Sequence, residues 1–245
     1  MNPYVFEPGV RPSAAVEGSH ARFPLARVFC LGRNYPWSDS DSTPRSEPLF
    51  FMKPASSVIE AGDALAFPPL TEAFCHEIEL VVAMGKEGAH LTVDSALDHV
   101  WGYAAGLDLT RRDLQLVAKA AGQPWECAKA FDGSAPITPI VPVSVCGHPQ
   151  AGAIWLKVNG VERQRSDLQR QTWSVAEVIS LISRYVTLQA GDLIMTGTPA
   201  GVDTLAPGDL IDAGIDGIGR IAVRVGPMPS SHPFNLEVGE SHHAQ

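Results

Sequence analysis

One short apolar segment that carries two glutamates constrains this chain more than any other part of its sequence. Ile78, Leu80 and Val82 alternate along the segment and predict one apolar face of a β-strand. Glu77 and Glu79 then point side by side from the opposite face. Adjacent carboxylates repel, so one of them takes up a proton unless a cation lies between them. The pattern therefore predicts either a bound hard divalent ion, such as Mg²⁺, Mn²⁺ or Ca²⁺, or an edge strand with a solvated acidic face.

Composition and charge limit the class of protein and its partners. The 245 residues suffice for one large domain or two small ones, and 45% hydrophobic with 18% charged residues is typical of a globular chain. The net charge is −9 and there is no basic run, which argues against nucleic acid or an anionic membrane as partner. We therefore expect a small-molecule partner, bound by a few well-placed cations.

The cysteines and the N-terminal sequence indicate a cytoplasmic protein. Cys30, Cys75, Cys127 and Cys146 include no Cys-x-x-Cys spacing, so neither a zinc site nor a disulfide framework is indicated. Reduced thiols are the default in the cytosol. The sequence also shows no secretory signal and no apolar run of transmembrane length.

The distribution of apolar periodicity divides the chain into three parts. Residues 1–24 predict an N-terminal leader segment that packs on the body or is partly loose, and residues 25–226 predict the main domain. Residues 227–245 predict a flexible tail. Within the main domain, the polar segment 36–48 predicts a loop that is either a lid over a site or an inert surface loop.

Two elements in the second half of the sequence have clear local signals. Asn159-Gly160 lies between two alternating segments and predicts a β-hairpin. Segment 174–186 predicts an amphipathic helix that begins with a Ser174/Glu177 capping box. The residues predicted to form its core face are Val178, Ile179, Leu181, Ile182 and Tyr185.

An aspartate between a strand and a helix is a candidate third acidic ligand. Asp108 ends a strand of small residues and precedes a helix predicted over 110–121, with Thr110 in its capping box. Arg112 and Gln115 share one face of that helix. Asp108 is therefore either a metal ligand beside an anion pocket, or only a charge that stabilises the helix N-terminus.

Two lysines and one loop are further candidates for the site. Segment 125–131 predicts a strand in which Lys129 lies among apolar neighbours, so that lysine is either paired with a carboxylate or functional. Lys53 ends another strand and is either a substrate cation or a simple strand-end charge. The loop over 196–201 is rich in hydroxyls and backbone donors that suit a carboxylate, but it lacks the ending of a phosphate loop.

Five motifs in order give the chain a resemblance to a known family. They are Gly32-Arg33-Asn34-Tyr35, His76-Glu77-Ile78-Glu79-Leu80, Asp108-Leu109-Thr110-Arg111-Arg112-Asp113-Leu114-Gln115, Lys129-Ala130-Phe131-Asp132 and Gly191-Asp192-Leu193-Ile194-Met195-Thr196-Gly197-Thr198-Pro199. Together they resemble the fumarylacetoacetate hydrolase family over about residues 25–226, and in particular its fumarylpyruvate and acylpyruvate hydrolase branch.

The resemblance implies a fold, an activity and a cofactor. The fold would be α+β and mostly β, a mixed β-sandwich roll with a few peripheral helices, assembled as a homodimer. The activity would be cleavage of the C–C bond of a 2,4-diketo acid, to pyruvate and a carboxylic acid, with Mg²⁺ or Mn²⁺ acting as Lewis acid.

The resemblance also assigns residues to the site. The implied metal ligands are Glu77, Glu79 and Asp108. The residues expected to bind substrate are Arg33, Arg112, Gly197 and Thr198, and those expected to take part in catalysis are Gln115 and Lys129. Asp41 is a further catalytic candidate, as a replacement base and not as a match to the family.

One departure from the family pattern affects the hydrolytic step. Family hydrolases usually carry a water-activating histidine and glutamate where this chain has Ser38 and Asp41. A serine alone is no base near neutral pH, so Asp39 or Asp41 would have to replace it. Three hypotheses follow: a hydrolase with an altered base, a decarboxylase or tautomerase of a 2-oxo diacid, and a non-catalytic binding protein.

Overall fold

Two β-sheets packed face to face form most of this computed structural model, which describes residues 4–38, 45–62 and 65–229. The described strands are β1 Ser13–Val16, β2 Ser19–Pro24, β3 Arg27–Gly32, β4 Leu49–Pro54, β5 Val58–Glu60, β6 Phe74–Cys75, β7 Ile78–Met84, β8 Val100–Leu107, β9 Thr110–Arg111, β10 Ala135–Ile137, β11 Val141–Pro142, β12 Ala153–Val158, β13 Val161–Asp167, β14 Leu193–Met195, β15 Leu210–Ile215 and β16 Gly219–Arg224. The described α-helices are α1 Val93–Ala96, α2 Arg112–Ala120, α3 Glu126–Lys129, α4 Val143–Cys146 and α5 Val175–Tyr185. This mostly β architecture with few helices confirms the expected fold class.

The glutamate-bearing strand lies in the middle of the larger sheet. That sheet has the order β4-β3-β14-β7-β8-β10-β5, with β11 also paired to β8, and it mixes parallel and antiparallel neighbours. Every residue of β7 is buried. The strand is therefore not an edge strand with a solvated acidic face, and burial makes any charge on it costly unless it is compensated.

The two faces of β7 contribute to different parts of the core. Ile78, Leu80 and Val82 belong to the core shared with the smaller antiparallel sheet, β13-β12-β15-β16. Val81 and Ala83 belong to a second core on the other face, where the β1–β2 hairpin packs. The predicted alternation is thus confirmed, and the two glutamates share the face opposite the main core.

The predicted hairpin and its turn are confirmed. Strands β12 and β13 pair antiparallel up to Val158 and Val161. Asn159 and Gly160 between them have φ of 51° and 78°. Positive φ at both turn residues is what a tight hairpin requires, and Asn and Gly tolerate it best.

Helix α5 is confirmed, except at its last residue. The Ser174 hydroxyl accepts from the Glu177 amide and the Glu177 carboxylate accepts from the Ser174 amide, which completes the predicted capping box. Four of the five predicted core residues are buried, but Tyr185 is 60% exposed. Tyr185 is exposed because the last turn of the helix extends past the core. Its hydroxyl donates to Glu47 Oε1 at 3.0 Å.

Two local predictions around the site are wrong. Residues 125–131 do not form a strand, since Glu126–Lys129 form the single turn α3. Helix α2 begins at Arg112 without a side-chain cap. The hydroxyl of Thr110 instead donates to Glu77 Oε1 at 3.1 Å. In both places tertiary contacts with buried carboxylates outweigh local propensity.

The N-terminal hairpin β1–β2 packs on the body through Ala14, Val16 and Phe23. Residues 39–44, within the predicted lid, and most of the predicted tail lie outside the described residues. No helix among the described residues is long and apolar enough to cross a bilayer.

Candidate metal centre and active-site cavity

Sheet register brings three acidic side chains to one point. The Asp108 amide donates to the Glu77 carbonyl at 2.9 Å, which places Asp108 beside the start of β7 just after β8 ends. Carboxylate oxygens of Glu77, Glu79 and Asp108 all lie within 4.8 Å of one another, and all three residues are buried. Gly106 pairs with Glu79 across the sheet and adds no side chain next to this cluster. The predicted triad is therefore formed in space.

The three carboxylates differ in electrostatic environment. Burial, followed by the charges of Asp108 and Glu77, raises the pKa of Glu79 well above its usual range. Burial acts in the same direction on Asp108, but the ammonium groups of Lys129 and Lys53 lower the pKa of Asp108 below its ordinary value. Among the described residues no lysine or arginine forms an ion pair with Glu79, and its Oε2 accepts only the Gly197 amide, at 2.7 Å. Glu79 is thus the one carboxylate of the three whose negative charge no cation among the described residues would compensate.

Lys129 lies inside the acidic cluster. Its Nζ donates to Glu77 Oε2 at 3.0 Å and to Asp108 Oδ2 at 2.8 Å, and it lies 5.1 Å from the centre of the Phe51 ring. Burial alone would lower the pKa of Lys129, but the two carboxylates raise it above its ordinary value. Lys129 therefore stays charged, which agrees with the prediction that it is paired or functional. Two of its three N–H donors are engaged, so one remains for a ligand.

Lys53 is a structural cation that the sequence left undecided. It is fully buried, and its Nζ lies 2.9 Å from Asp108 Oδ1. The same Nζ donates to the backbone carbonyl of Leu109 at 3.2 Å, to that of Lys129, and to Ser134 Oγ at 3.0 Å. It fastens Asp108 to the turn that carries Lys129. The signal in the sequence was a lysine that continues an apolar strand up to a proline.

Helix α2 directs two predicted side chains at the cluster. Arg112 Nη2 donates to Glu77 Oε1 at 2.9 Å, and Arg112 Nη1 donates to Gln115 Oε1 at 2.6 Å. Gln115 is 4% exposed, and its Nε2 makes no hydrogen bond with the described residues. The amide of Gln115 is thus oriented by Arg112 and keeps its donors for a ligand.

A buried glutamine far along the chain holds the loop that follows β14. Gln164 Nε2 donates to Thr198 Oγ1 and to the Pro199 carbonyl, each at 2.8 Å. Gln164 Oε1 accepts from the Ile78 amide at 3.2 Å and lies 3.0 Å from His76 Nδ1. The sequence analysis did not identify Gln164. It lies in the hairpin strand β13, and no local sequence pattern indicates that it forms hydrogen bonds with a loop 34 residues away.

Hydrogen bonds hold the predicted loop over 196–201 close to the acidic cluster. Gly197 has φ of 94°, and a Cβ on it would lie 2.7 Å from Asn34 Cβ, so only glycine fits. Its amide holds Glu79, while Thr198 Oγ1 donates to the Ile78 carbonyl at 2.7 Å. Thr198 borders the site cavity.

One cavity connects the acidic cluster with the surface. Glu77, Asp108, Gln115 and Lys129 lie at its inner end, and Arg33 also borders it with φ of 63°. Arg112, Lys119 and Thr198 contribute polar groups to the wall, and its larger apolar residues are Leu31, Tyr35, Trp37, Leu49, Phe51, Trp125, Pro199 and Val202. Ser38 is exposed, whereas Asp39 and Asp41 lie outside the described residues. The cavity suits an elongated ligand with an anionic or chelating end.

The donor set fits a divalent metal ion. Three buried oxygen ligands, one of them lacking any cation partner, suit the hard ions Mg²⁺ and Mn²⁺. None of the ligands is a cysteine or a histidine, so the set does not favour zinc.

Comparison with known proteins assigns the family. The family model for the fumarylacetoacetate (FAA) hydrolase C-terminal region matches residues 27–226. The chain therefore belongs to the fumarylacetoacetate hydrolase family. Within it, the similarity supports the fumarylpyruvate hydrolase branch that the motifs indicated.

Three relatives define that similarity. The chain is 44% identical to the fumarylpyruvate hydrolase of Ralstonia sp over 179 residues, 73% of this chain and 93% of that protein. It is 40% identical to the mitochondrial oxaloacetate tautomerase of Mus musculus over 200 residues, 81% of this chain and 90% of that protein. The crystal structure of fumarylpyruvate hydrolase from Pseudomonas aeruginosa with Mn²⁺ and pyruvate has a TM-score of 0.88 and 46% identity, covering 92% of this chain and all of that one.

Asp108→Asn should weaken both metal binding and the stability of the fold. We expect Mn²⁺ affinity to fall about 100-fold or more, because ligation loses one of three anions. We also expect unfolding to become easier by about 3 kcal/mol, because buried Lys53 and Lys129 lose a counter-ion. Calorimetric titration of Mn²⁺ and thermal denaturation measure the two effects.

The control is another buried, cation-paired aspartate. Asp192 Oδ1 and Oδ2 accept from Arg27 Nε at 3.0 Å and Nη2 at 2.6 Å, away from the cluster. Asp192→Asn should lower stability but leave Mn²⁺ affinity intact. Wild-type Mn²⁺ affinity in Asp108→Asn would exclude Asp108 as a ligand.

The raised pKa of Glu79 predicts a pH-dependent stability of the metal-free protein. The folded state holds this proton more tightly than the unfolded state, whose pKa is about 4.3. The contribution of Glu79 is therefore complete below that value and is lost as pH rises through the raised pKa. Metal-free Glu79→Gln should gain stability over the wild type as pH rises, yet gain less from Mn²⁺.

Thermal unfolding in chelator across pH, repeated with Mn²⁺, tests this expectation. Glu162→Gln, at an exposed glutamate paired with Arg165, serves as the control and should show no such gain. A stability difference between Glu79→Gln and the wild type that does not change with pH would contradict the assignment.

Proposed function

We propose that this chain is a divalent-metal-dependent hydrolase that cleaves the C–C bond of a 2,4-diketo acid, fumarylpyruvate or a related acylpyruvate, to pyruvate and a carboxylic acid. The observation that carries the proposal is the buried triad of Glu77, Glu79 and Asp108, of which Glu77 and Asp108 border the cavity. Similarity to a fumarylpyruvate hydrolase solved with Mn²⁺ and pyruvate supports it.

A divalent ion held by Glu77, Glu79 and Asp108 would supply Lewis-acid polarisation of a chelating 2-oxo acid. Mg²⁺ and Mn²⁺ both suit this donor set. Thr110, Arg112 and the Gly197 amide hold the carboxylates in position, because each donates a hydrogen bond to Glu77 or Glu79. We therefore propose that Gly197 fixes Glu79. Its contact with the substrate stays a prediction.

Lys129 and Gln115 supply the donors for the oxygen that becomes negative in the reaction. One N–H of Lys129 and the amide of Gln115 are left free by their contacts with the described residues. Both residues border the cavity next to the triad. Donors that are already oriented stabilise developing charge without reorganisation, and loss of one costs roughly 10²–10³ in rate in other enzymes.

Arg33, Arg112 and Thr198 are proposed to bind the substrate. All three border the cavity. Arg112 uses two of its nitrogens on Glu77 and Gln115, and a guanidinium carries five donors, so others remain for a carboxylate. The role of base falls to Asp41, in the segment where family hydrolases carry histidine and glutamate. The homodimer and the cytoplasmic location stay predictions.

A second candidate is a decarboxylase or tautomerase of a 2-oxo diacid. Two observations favour keeping it. Ser38 replaces the usual histidine, and one relative at 40% identity is an oxaloacetate tautomerase. Neither reaction requires the chain to generate a hydroxide nucleophile, so the serine would be no obstacle. The third hypothesis, a binding protein without turnover, needs only the metal site and the cavity.

Product analysis with Mn²⁺ or Mg²⁺ distinguishes these functions. We expect fumarylpyruvate to yield fumarate and pyruvate, and chelator to abolish the reaction. Release of CO₂ from oxaloacetate, or faster interconversion of its keto and enol forms, without fumarylpyruvate cleavage would support the second candidate. Calorimetric binding of the diketo acid without any product would leave the binding protein.

Restoring the histidine and glutamate of the family hydrolases at positions 38 and 41 should increase the activity. The double variant Ser38→His/Asp41→Glu should raise the rate of fumarylpyruvate cleavage by about tenfold or more, because general-base catalysis contributes 10²–10⁴. Asp41→Asn alone should lower the rate and change the pH–rate profile. If Asp41→Asn leaves that profile unaltered, Asp41 is not the base. Ser38→Ala is the control for a change at position 38 that introduces no base.

A further inference from the structure

Helix α2 carries three polar side chains along one wall of the cavity. Arg112, Gln115 and Lys119 all border it, and residues spaced three and then four apart lie on one helix face. Arg112 contacts the triad residue Glu77. Lys119 lies seven residues further along, which is about 10 Å at the rise of an α-helix. The helix thus places one cation at the inner end of the cavity and another towards its outer end.

Lys119 differs from the inner cations because it has no carboxylate partner in the part of the chain that the structure describes. Lys53, Lys129 and Arg112 each form ion pairs with Asp108 or Glu77. Among the described residues no acidic side chain pairs with Lys119, whose Nζ lies 5.6 Å from the centre of the Trp125 ring. An ammonium over an indole face is held by the ring without losing its positive charge. Lys119 is therefore positioned and available for an anion.

The wall between the two ends suits a flat, apolar linker. Phe51 and Trp125 both border the cavity, and their ring centres are 5.7 Å apart. The Phe51 ring also lies 5.1 Å from Lys129 Nζ, so it reaches the inner end. Seven carbons in extended form span about 7 Å between the terminal carbons, as six bonds of a polypeptide do. A diketo acid chelated at the triad would bring a terminal carboxylate within reach of the Lys119 side chain.

We infer that Lys119 pairs with the distal carboxylate of the substrate and selects diketo acids with a negatively charged acyl end over acylpyruvates with a neutral one. This inference rests on the proposed function. A lysine in the last turn of a helix also offsets the helix dipole, but that role affects stability and not the choice between two substrates. The discriminating quantity is therefore the ratio of kcat/KM for a charged and a neutral substrate.

The test compares fumarylpyruvate, whose acyl end is anionic, with acetylpyruvate, whose acyl end is a methyl group, on the Mn²⁺-loaded enzyme. Lys119→Met should lower the preference for fumarylpyruvate about fivefold, mainly through KM, the size expected for a partly exposed ion pair. Lys119→Arg should keep most of the preference. High ionic strength should lower the wild-type ratio of kcat/KM for fumarylpyruvate over acetylpyruvate, because salt screens an exposed ion pair.

Two matched variants make the result specific. Lys157 Nζ lies 5.5 Å from the Trp155 ring on the other sheet, so Lys157→Met removes a similar lysine remote from the cavity and should leave the ratio unchanged. Arg33→Met removes the other cavity cation that lacks an ion pair among the described residues. The inference would be overturned if Lys119→Met kept the wild-type ratio of kcat/KM for the two substrates. It would also be overturned if that ratio fell only in Arg33→Met.

Failure of the proposed function is distinguishable from failure of this inference. If the wild type cleaves neither substrate, the hydrolase proposal fails. The ratio of dissociation constants for the two diketo acids, measured by calorimetry on the same variants, then tests Lys119 in the same way. Equal loss of affinity for both ligands in Lys119→Met would again overturn it.

Discussion

Charge compensation within a buried acidic cluster is the interaction on which the rest of the site depends. Glu77 is paired with Lys129 and Arg112, and Asp108 with Lys53 and Lys129. Placing such charges in a protein interior is costly unless partners and hydrogen bonds surround them. The elements around the cluster supply those partners: strand β4 brings Lys53, helix α2 brings Arg112 and the single turn α3 brings Lys129.

The sheet gives the cluster its geometry. Pairing of β7 with β8 sets Glu79 opposite Gly106 and brings Asp108 beside Glu77. Because side chains alternate along a strand, a slip of one residue would send both glutamates into the main core. The residues that pack Ile78, Leu80 and Val82 against the second sheet therefore also keep the carboxylates on the side of the cavity.

Local sequence patterns were sufficient to predict part of the fold and of the candidate site. Alternation identified the orientation of Glu77 and Glu79, turn chemistry identified the Asn159-Gly160 hairpin, and a capping box identified the start of α5. The resemblance to a family joined Asp108 to the triad, and the structure brings the three together.

The features that escaped prediction depend on contacts distant along the chain. Lys53 could not be distinguished from a strand-end charge, because its partners lie up to 81 residues away. Gln164, in the smaller sheet, forms hydrogen bonds with Thr198 and with the Ile78 amide. No local sequence pattern predicts these contacts. The turn α3 replaces a predicted strand because Lys129 must reach the carboxylates of Glu77, just before β7, and of Asp108, just after β8. Local propensity is a weak guide where a buried ion pair decides the backbone.

The ammonium groups of Lys53 and Lys129 reduce the need for a metal ion to stabilise the buried carboxylates. In a structural zinc domain the ion itself holds the chain together, and its removal unfolds the protein. Here Lys53 and Lys129 already neutralise Asp108, and Glu79 can take a proton in the absence of an ion. A divalent ion bound at such a cluster would be an exchangeable component and not the agent that holds the fold together.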